Sequence, residues 1–183
     1  MTTIRTPRLL LRKPVEADLD ALHPIMADAE TMRFWSTPPH ADREDTRRFL
    51  ADMIAAPVGT SDEFVVEWQG QVIGKLGVWR VPEVGFFLSR THWGRGLATE
   101  ALVAFVRHAF AAGADHLTAD VDPANAASLA VLTKAGFRET ARASRTLQIG
   151  DDWFDGVYLR LDRPAVAVTR PAPHPPRPAD GRF

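Results

Sequence analysis

His92-Trp93-Gly94-Arg95-Gly96-Leu97-Ala98-Thr99-Glu100-Ala101-Leu102 follows an apolar strand-like run, Val84 to Leu88, and opens a long amphipathic segment. A helix that begins here exposes its first backbone N–H groups and the positive end of its dipole. Glycines on both sides of Arg95 let a phosphate approach the backbone, so the layout predicts an anion site. It is not a Walker loop, because no Gly-Lys-Ser/Thr follows, and it is not G-x-G-x-x-G.

Around that stretch the chain reads as a mixed α+β domain. Arg8 to Lys13 predicts a strand, and helices are expected over about 16–28 (Leu19, Leu22, Met26) and 42–55 (Phe49, Leu50, Met53). Glu63 to Trp68 and Val72 to Trp79 form a hairpin across Gln69-Gly70, and Glu83 to Leu88 is the next strand. A long helix follows over 96–112, with Ala98, Leu102, Phe105 and Ala109 inward and Gly113 as its stop. Leu117 to Val121 is a strand, Asn125 to Ala135 a short helix ended by Gly136, and two strands close the body near 137–148 and 153–161. This order predicts a mixed, mostly antiparallel sheet of about seven strands flanked by four helices, not a doubly wound fold. Residues 1–163 form the expected domain. From Pro164 to Phe183 the prolines are too dense for a helix or a central strand, which predicts a disordered or polyproline-like tail.

Composition narrows the chemistry. The 183 residues, 45% hydrophobic and 25% charged, suffice for one core. There is no cysteine, which excludes disulfides, Cys-ligated zinc and a thiol nucleophile. The six histidines lack metal-ligand spacing, so no metal is expected. A net charge of −1, with Lys and Arg dispersed, predicts neither a nucleic-acid nor a membrane partner. No signal core or bilayer-length apolar run is present, and the default expectation is cytoplasmic.

Four segments, in order, resemble the GNAT superfamily of N-acetyltransferases, in particular its RimJ/RimL branch. They are Thr6-Pro-Arg-Leu-Leu-Leu-Arg12, Glu83-Val-Gly-Phe-Phe-Leu88, Trp93-Gly-Arg-Gly-Leu-Ala-Thr-Glu-Ala101, and Asp122-Pro-Ala-Asn-Ala-Ala-Ser128 continuing to Lys134-Ala-Gly-Phe137. The resemblance implies a GNAT-like fold, acetyl-CoA as donor and CoA as product. The pyrophosphate would lie on the N–H groups of Gly94, Arg95, Gly96, Leu97, Ala98 and Thr99, beside Trp93 at the first position of the family loop pattern. The pantetheine arm would pair with the backbone of Phe86, Phe87 and Leu88. Arg95 is read either as a phosphate contact or as a solvent-facing charge.

The resemblance also places Ser128 near the leaving sulfur; the alternative is a hydroxyl bonding within its own helical turn. Where many relatives carry a tyrosine for this task, Leu132 stands here. Asn125 is a helix cap, a ligand-positioning group, or both. Attack on a thioester needs a neutral amine, and a lysine of pKa ~10.4 is almost wholly protonated at neutral pH. Glu83 and Asp120 are the acidic candidates for general base, each also readable as a solvated edge-strand acid. The segment Thr146-Leu-Gln-Ile149, where some relatives place a glutamate, has no acid. Phe34 and Trp35, and the tip around Asp151 and Trp153, are candidate borders of the acceptor pocket.

The expected reaction is transfer of acetyl to a primary amine in a ternary complex, with no covalent enzyme intermediate. The acceptor is a protein N-terminal α-amine or a small-molecule amine, and the protein a monomer or homodimer. The alternative is a catalytically weak acyl-CoA-binding regulatory domain.

Overall fold

The computed structural model describes residues 2–149 and 152–164. Its strands are β1 (Thr3–Arg5), β2 (Leu9–Arg12), β3 (Asp62–Trp68), β4 (Gln71–Arg80), β5 (Glu83–Leu88), β6 (His116–Val121), β7 (Arg138–Ile149) and β8 (Asp152–Asp162). The helices are α1 (Leu19–Met26), α2 (Ala29–Met32), α3 (Arg43–Ala55), α4 (Leu97–Ala111) and α5 (Ala126–Lys134). One sheet runs in the order β1-β2-β3-β4-β5-β6-β8-β7, antiparallel except where β5 meets β6. The expected tail at 164–183 lies outside the described residues beyond Pro164, and so does Asp151.

Each face of the sheet carries its own core. On one side Leu97, Ala101, Leu102, Phe105 and Ala109 of α4, with Leu132 of α5, pack on Leu11, Phe64, Leu76, Val84, Leu117 and Val157. On the other, Leu19, Leu22 and Met26 of α1, Met32 of α2 and Leu50 of α3 cover Val65 and Phe87. Alternation along β6 shows the pleat: Leu117, Ala119 and Val121 are buried toward α4, so Thr118 and Asp120 face the α1–α3 side.

Among the described residues eight strands and five helices replace the expected seven and four. The extra strand, β1, is only three residues long and hairpins onto β2 through Thr6, whose N–H bonds the Leu9 carbonyl at 3.0 Å. No period can be read from so short a run. The helix expected over 16–28 is broken at both ends by aspartates. Asp18 is buried and accepts Val15 N–H at 2.8 Å and the Arg12 guanidinium at 2.7 and 2.9 Å, which tightens the first turn into a 3-10 segment. Asp28 caps a new helix, α2, by accepting from Thr31 N–H at 3.0 Å. Asp42 caps α3 through the N–H groups of Glu44 and Asp45.

In the α1–α3 layer sits a buried ion pair, Lys75 on β4 with Glu63 on β3. Burial pulls the Lys75 ammonium below its ordinary pKa, against the opposing pull of Glu63. Trp35 and Phe49 present their rings to the ammonium at 5.1 and 5.7 Å. Removing one partner leaves an uncompensated buried charge, so Lys75→Met should lower the unfolding free energy by about 3–5 kcal/mol in a urea titration. Glu63→Leu combined with Lys75→Met should recover most of that loss. A single variant as stable as wild type would show that the pair is solvated.

Candidate active site

β5 and β6 run parallel but share one pair in register, Glu83 with Thr118, closed by the bond from Thr118 N–H to the Pro82 carbonyl at 3.0 Å. Beyond it each strand keeps its outer partner: β5 stays on β4 to Leu88, and β6 stays on β8 to Val121. The two strands therefore part. Register shows which groups face the gap. Ser89 N–H donates to the Ile73 carbonyl at 2.7 Å, so counting back by twos spends the backbone groups of Phe87 and Gly85 on β4. Those of Phe86 and Leu88 turn toward the gap. Of the three residues expected to offer backbone there, Phe87 does not; its side chain is instead a core group under α1.

The turn after β5 has the backbone features expected of an anion site. Gly94 and Gly96 both hold positive φ, +72° and +73°, in the left-handed region that a side chain disfavours. Gly96 caps α4 with no side chain, and the first helical bond is Glu100 N–H to the Gly96 carbonyl at 3.0 Å. The N–H groups of Leu97, Ala98 and Thr99 are left at the open end of a 15-residue helix. Leu97 contributes only its backbone, since its side chain is 2% exposed in the core. Arg95 is exposed and lies over the Trp68 ring at 5.5 Å. Trp93 reaches back and donates its indole N–H to the Leu88 carbonyl at 2.7 Å, tying the loop to the open edge.

Sequence reasoning missed the clamp behind this loop. Arg8 donates to the Arg95 carbonyl at 2.9 Å and to Glu100 at 2.6 Å. Thr6 donates to the same carboxylate at 2.6 Å. Burial works against the ionised Glu100, but the bonds from Thr6 and Arg8 outweigh it and hold the carboxyl below its usual range. Arg8 carries no signal beyond its place in the opening motif. Trp68, stacked edge-on with His92 at 5.3 Å, was likewise read only as a strand end.

On the far side of the gap β6 runs into α5. Asn125 caps that helix, its Oδ1 accepting Ser128 N–H at 3.0 Å, which fixes the backbone of Ser128 in the first turn. Ser128 is half-buried, and among the described residues its hydroxyl has no partner. Leu129 and Leu132 pack into the α4-side core, so α5 borders the gap from that side. Glu83 and Asp120 face the other side. Glu83 is held by Arg80 at 3.3 Å. Burial, and secondarily the charge of Glu83, raises the Asp120 carboxyl above its ordinary pKa, with the Val121 N–H bond opposing.

The Trp35 ring tip comes within 3.3 Å of where a side chain on Gly85 would begin, and it meets Phe87 edge-on at 5.1 Å. Trp79, 47% exposed, flanks the same glycine. A cleft of about 330 Å³ opens between Pro123 and the β7–β8 hairpin, walled by Arg142, Ser144, Asp155 and Gly156. Phe34 packs under the Arg33 guanidinium at 5.1 Å, and Trp153 under Arg145 at 5.1 Å. No group of metal ligands occurs among the described residues, and no helix there is long and apolar enough to cross a membrane.

Comparison with known proteins places the fold in a known family. The chain is 28% identical over 149 residues to the uncharacterized N-acetyltransferase p20 of Bacillus licheniformis, covering 76% of this chain and 84% of that one. A GNAT-family acetyltransferase from Bacillus anthracis superposes with a TM-score of 0.79 at 24% identity, covering 88% and 98% of the two chains. RimL, a ribosomal L7/L12 α-N-protein acetyltransferase solved with coenzyme A, gives a TM-score of 0.81 at 19% identity over 88% and 98%. The family model for the acetyltransferase (GNAT) domain matches residues 8–138, and the chain belongs to that family of acetyltransferases.

Proposed function

We propose that the protein transfers acetyl from acetyl-CoA to a primary amine, a protein N-terminal α-amine or a small-molecule amine, by direct attack in a ternary complex. The observation that carries this reading is the pairing of two open backbone surfaces. The free edge of β5 and the start of α4, which no side chain caps, are linked by residues 89–96, which include a 3-10 turn at Arg90–His92, and are joined by the Trp93–Leu88 bond. A thioester donor with an amide-bearing arm and a pyrophosphate has matching chemistry at matching ends. Phe86 and Leu88 offer N–H and C=O groups to the arm, although Trp93 already occupies one lone pair of the Leu88 carbonyl. Gly94 to Thr99 offer N–H groups to the pyrophosphate, a convergence that the two left-handed glycines permit.

The gap orders the chemistry. With the thioester between β5 and β6, the amine approaches from the α1–α3 side and the sulfur leaves toward α5. Donors on the carbonyl oxygen stabilise the charge that builds there. Ser128 lies on the leaving side with a free hydroxyl, suited to hydrogen-bond the developing thiolate. Asn125 acts through Ser128 by fixing its turn.

CoA release measured across a panel of amines and peptides, beside calorimetric binding of acetyl-CoA, tests the reading. Release on at least one acceptor is expected; tight binding with no release on any would mark a regulatory domain instead. Gly96→Val should weaken acetyl-CoA binding by well over tenfold, because the new side chain meets both the left-handed φ and the space for the phosphate. Unchanged affinity would remove the pyrophosphate from this loop. Ser128→Ala should lower kcat by about 10–10³-fold with affinity near wild type, since the bond strengthens only as the thiolate forms. Asn125→Ala should in addition cost about 1 kcal/mol of stability through the lost cap. Full turnover in Ser128→Ala would assign thiolate protonation to another group.

A further inference from the structure

The protons on the acceptor nitrogen need somewhere to go, and the structure bears on which group takes the first. β6 continues to Val121 after its last pair with β5 at Thr118, so Asp120 stands on the rim where the strands part. The pleat turns it to the α1–α3 side, opposite α5 and Ser128. In register across β8 its neighbour is Tyr158, yet its carboxylate leans over the next residue on that face, Gly156. A Cβ on Gly156 would lie 2.8 Å from Asp120 Oδ1 and 2.8 Å from Thr146 Oγ1, closer than side chains tolerate. Gly156 is thus a bare shelf on which the carboxylate rests.

The far side of the shelf is also specifically made. The pairing of β7 with β8 slips between Ala143 and Leu147. Arg145 within that bulge adopts φ +58°, a left-handed conformation unusual for a residue with a side chain, while its N–H donates to Asp155 Oδ1 at 3.0 Å. The bulge brings the Thr146 hydroxyl over Gly156. Several charged and titratable groups of the described residues lie near Asp120. Glu83 on β5 is tied to Arg80, and Arg160, opposite Thr118, is turned to Asp162 at 2.8 Å. Tyr158 lies opposite on β8, His116 stands on the same face of β6, and Arg142 and Asp155 line the cleft beside Gly156. No cation pairs with Asp120 among the described residues.

We propose that Asp120 removes the proton from the acceptor ammonium and that Gly156 is the residue that positions it. This rests on the acetyltransferase reading above. The ammonium carries three N–H bonds to lose or keep. One proton passes to the Asp120 carboxylate, leaving a lone pair on nitrogen, and is later given to water. That lone pair forms the C–N bond to the thioester carbonyl carbon; the C–S bond breaks and its electron pair leaves on sulfur. A second proton passes from nitrogen to the thiolate through Ser128, giving CoA with a free thiol, and the third N–H stays on the amide. Partial desolvation, and secondarily the Glu83 charge, make Asp120 a stronger base than an isolated aspartate.

The sign of the linkage separates this role from a structural one. A carboxyl whose pKa is raised on folding favours the folded state while protonated, and that contribution is lost as pH rises through the raised value. At neutral pH the ionised Asp120 therefore costs stability. Asp120→Asn should lower kcat/KM at pH 7 by about 10²-fold, with the deficit shrinking as pH nears the pKa of the free amine. Acetyl-CoA affinity should hold, and Tm at pH 7 should stay level or rise. Gly156→Ala should lower kcat/KM at least tenfold and shift the acid limb of the pH profile while the protein stays folded.

Carbon-13 NMR titration of the aspartate carboxyls, which needs no turnover, should find Asp120 raised in the wild type and lowered by Glu83→Gln. Wild-type kcat/KM in Asp120→Asn, on an acceptor the native enzyme acetylates, would overturn the proposal. So would an ordinary titration of Asp120 in the wild type. If the native enzyme releases CoA from no acceptor, the acetyltransferase reading fails first, and the titration still decides whether Asp120 is tuned.

Discussion

The rest of the site depends on the refusal of β5 and β6 to zip together. Parallel neighbours in the middle of a sheet ordinarily satisfy each other's backbone along their whole length. Here they do so at Glu83 and Thr118 alone. The cause lies in their other partners. β6 is held by an unbroken antiparallel register with β8 from His116 to Val121. β5 follows β4, whose ladders slip at Val66/Glu67 on one side and at Val78/Arg80 on the other. Bulges bend and twist the strands that carry them, so β5 is steered away from a neighbour that stays straight. Gly74 helps, since a Cβ there would lie 2.1 Å from the Phe87 carbonyl oxygen and force β4 off β5. The price is a row of unpaired amides in mid-sheet, which a ligand with amides of its own can satisfy.

An open edge would be of little use if the loop beyond it were mobile. Three contacts from elsewhere in the chain fix it: Trp93 on the Leu88 carbonyl, Arg8 on the Arg95 carbonyl, and Glu100 gripped by Thr6 and Arg8. Glu100 in the first turn of α4 is also where the helix dipole favours a negative charge. The carboxylate is taken up by Thr6 and Arg8, and Arg8 brings its guanidinium to the Arg95 carbonyl in the loop. A phosphate arriving at Leu97 to Thr99 meets preorganised donors and does not have to order them. That is the condition under which binding free energy is not consumed by loop entropy.

The helices and strands were largely legible because burial writes a period. Leu19, Leu22 and Met26, and Leu50 with Met53, are spaced as a helix face and are buried as one. Gly94 and Gly96 were legible because the left-handed turns the loop needs strongly favour glycine. Other features leave no periodic trace. Asp18 and Asp28 look like ordinary helix residues, yet their side chains take backbone N–H groups and cut the first helix short. Phe87 was expected to face the gap, because which of three adjacent amides points outward depends on register with a distant strand. The Arg8 clamp joins residues 92 positions apart to Glu100, and no local pattern encodes such a pair. Glu83 and Asp120 could be named from sequence, but their unequal environments are tertiary.

Those environments complete a contrast within one layer of the protein. Lys75 and Glu63 are buried deep between the sheet and α1–α3, and each neutralises the other. Asp120 and Glu83 stand at the mouth of the same layer with like charge, and only Glu83 has a cation, at a loose 3.3 Å. Opposite charges in low dielectric settle a structure, whereas desolvation at a rim, reinforced by a like charge, raises the proton affinity of one member. A chain selected for stability alone would pair Asp120 or remove it. Leaving it unpaired, over a glycine where a Cβ would push its carboxylate aside, trades some stability for a carboxylate that is both basic and held in place. The same trade shows in the unpaired edge of β5 and in the uncapped start of α4. These local departures from best packing lie around one gap, and each leaves free a group that the proposed acetyl transfer would use.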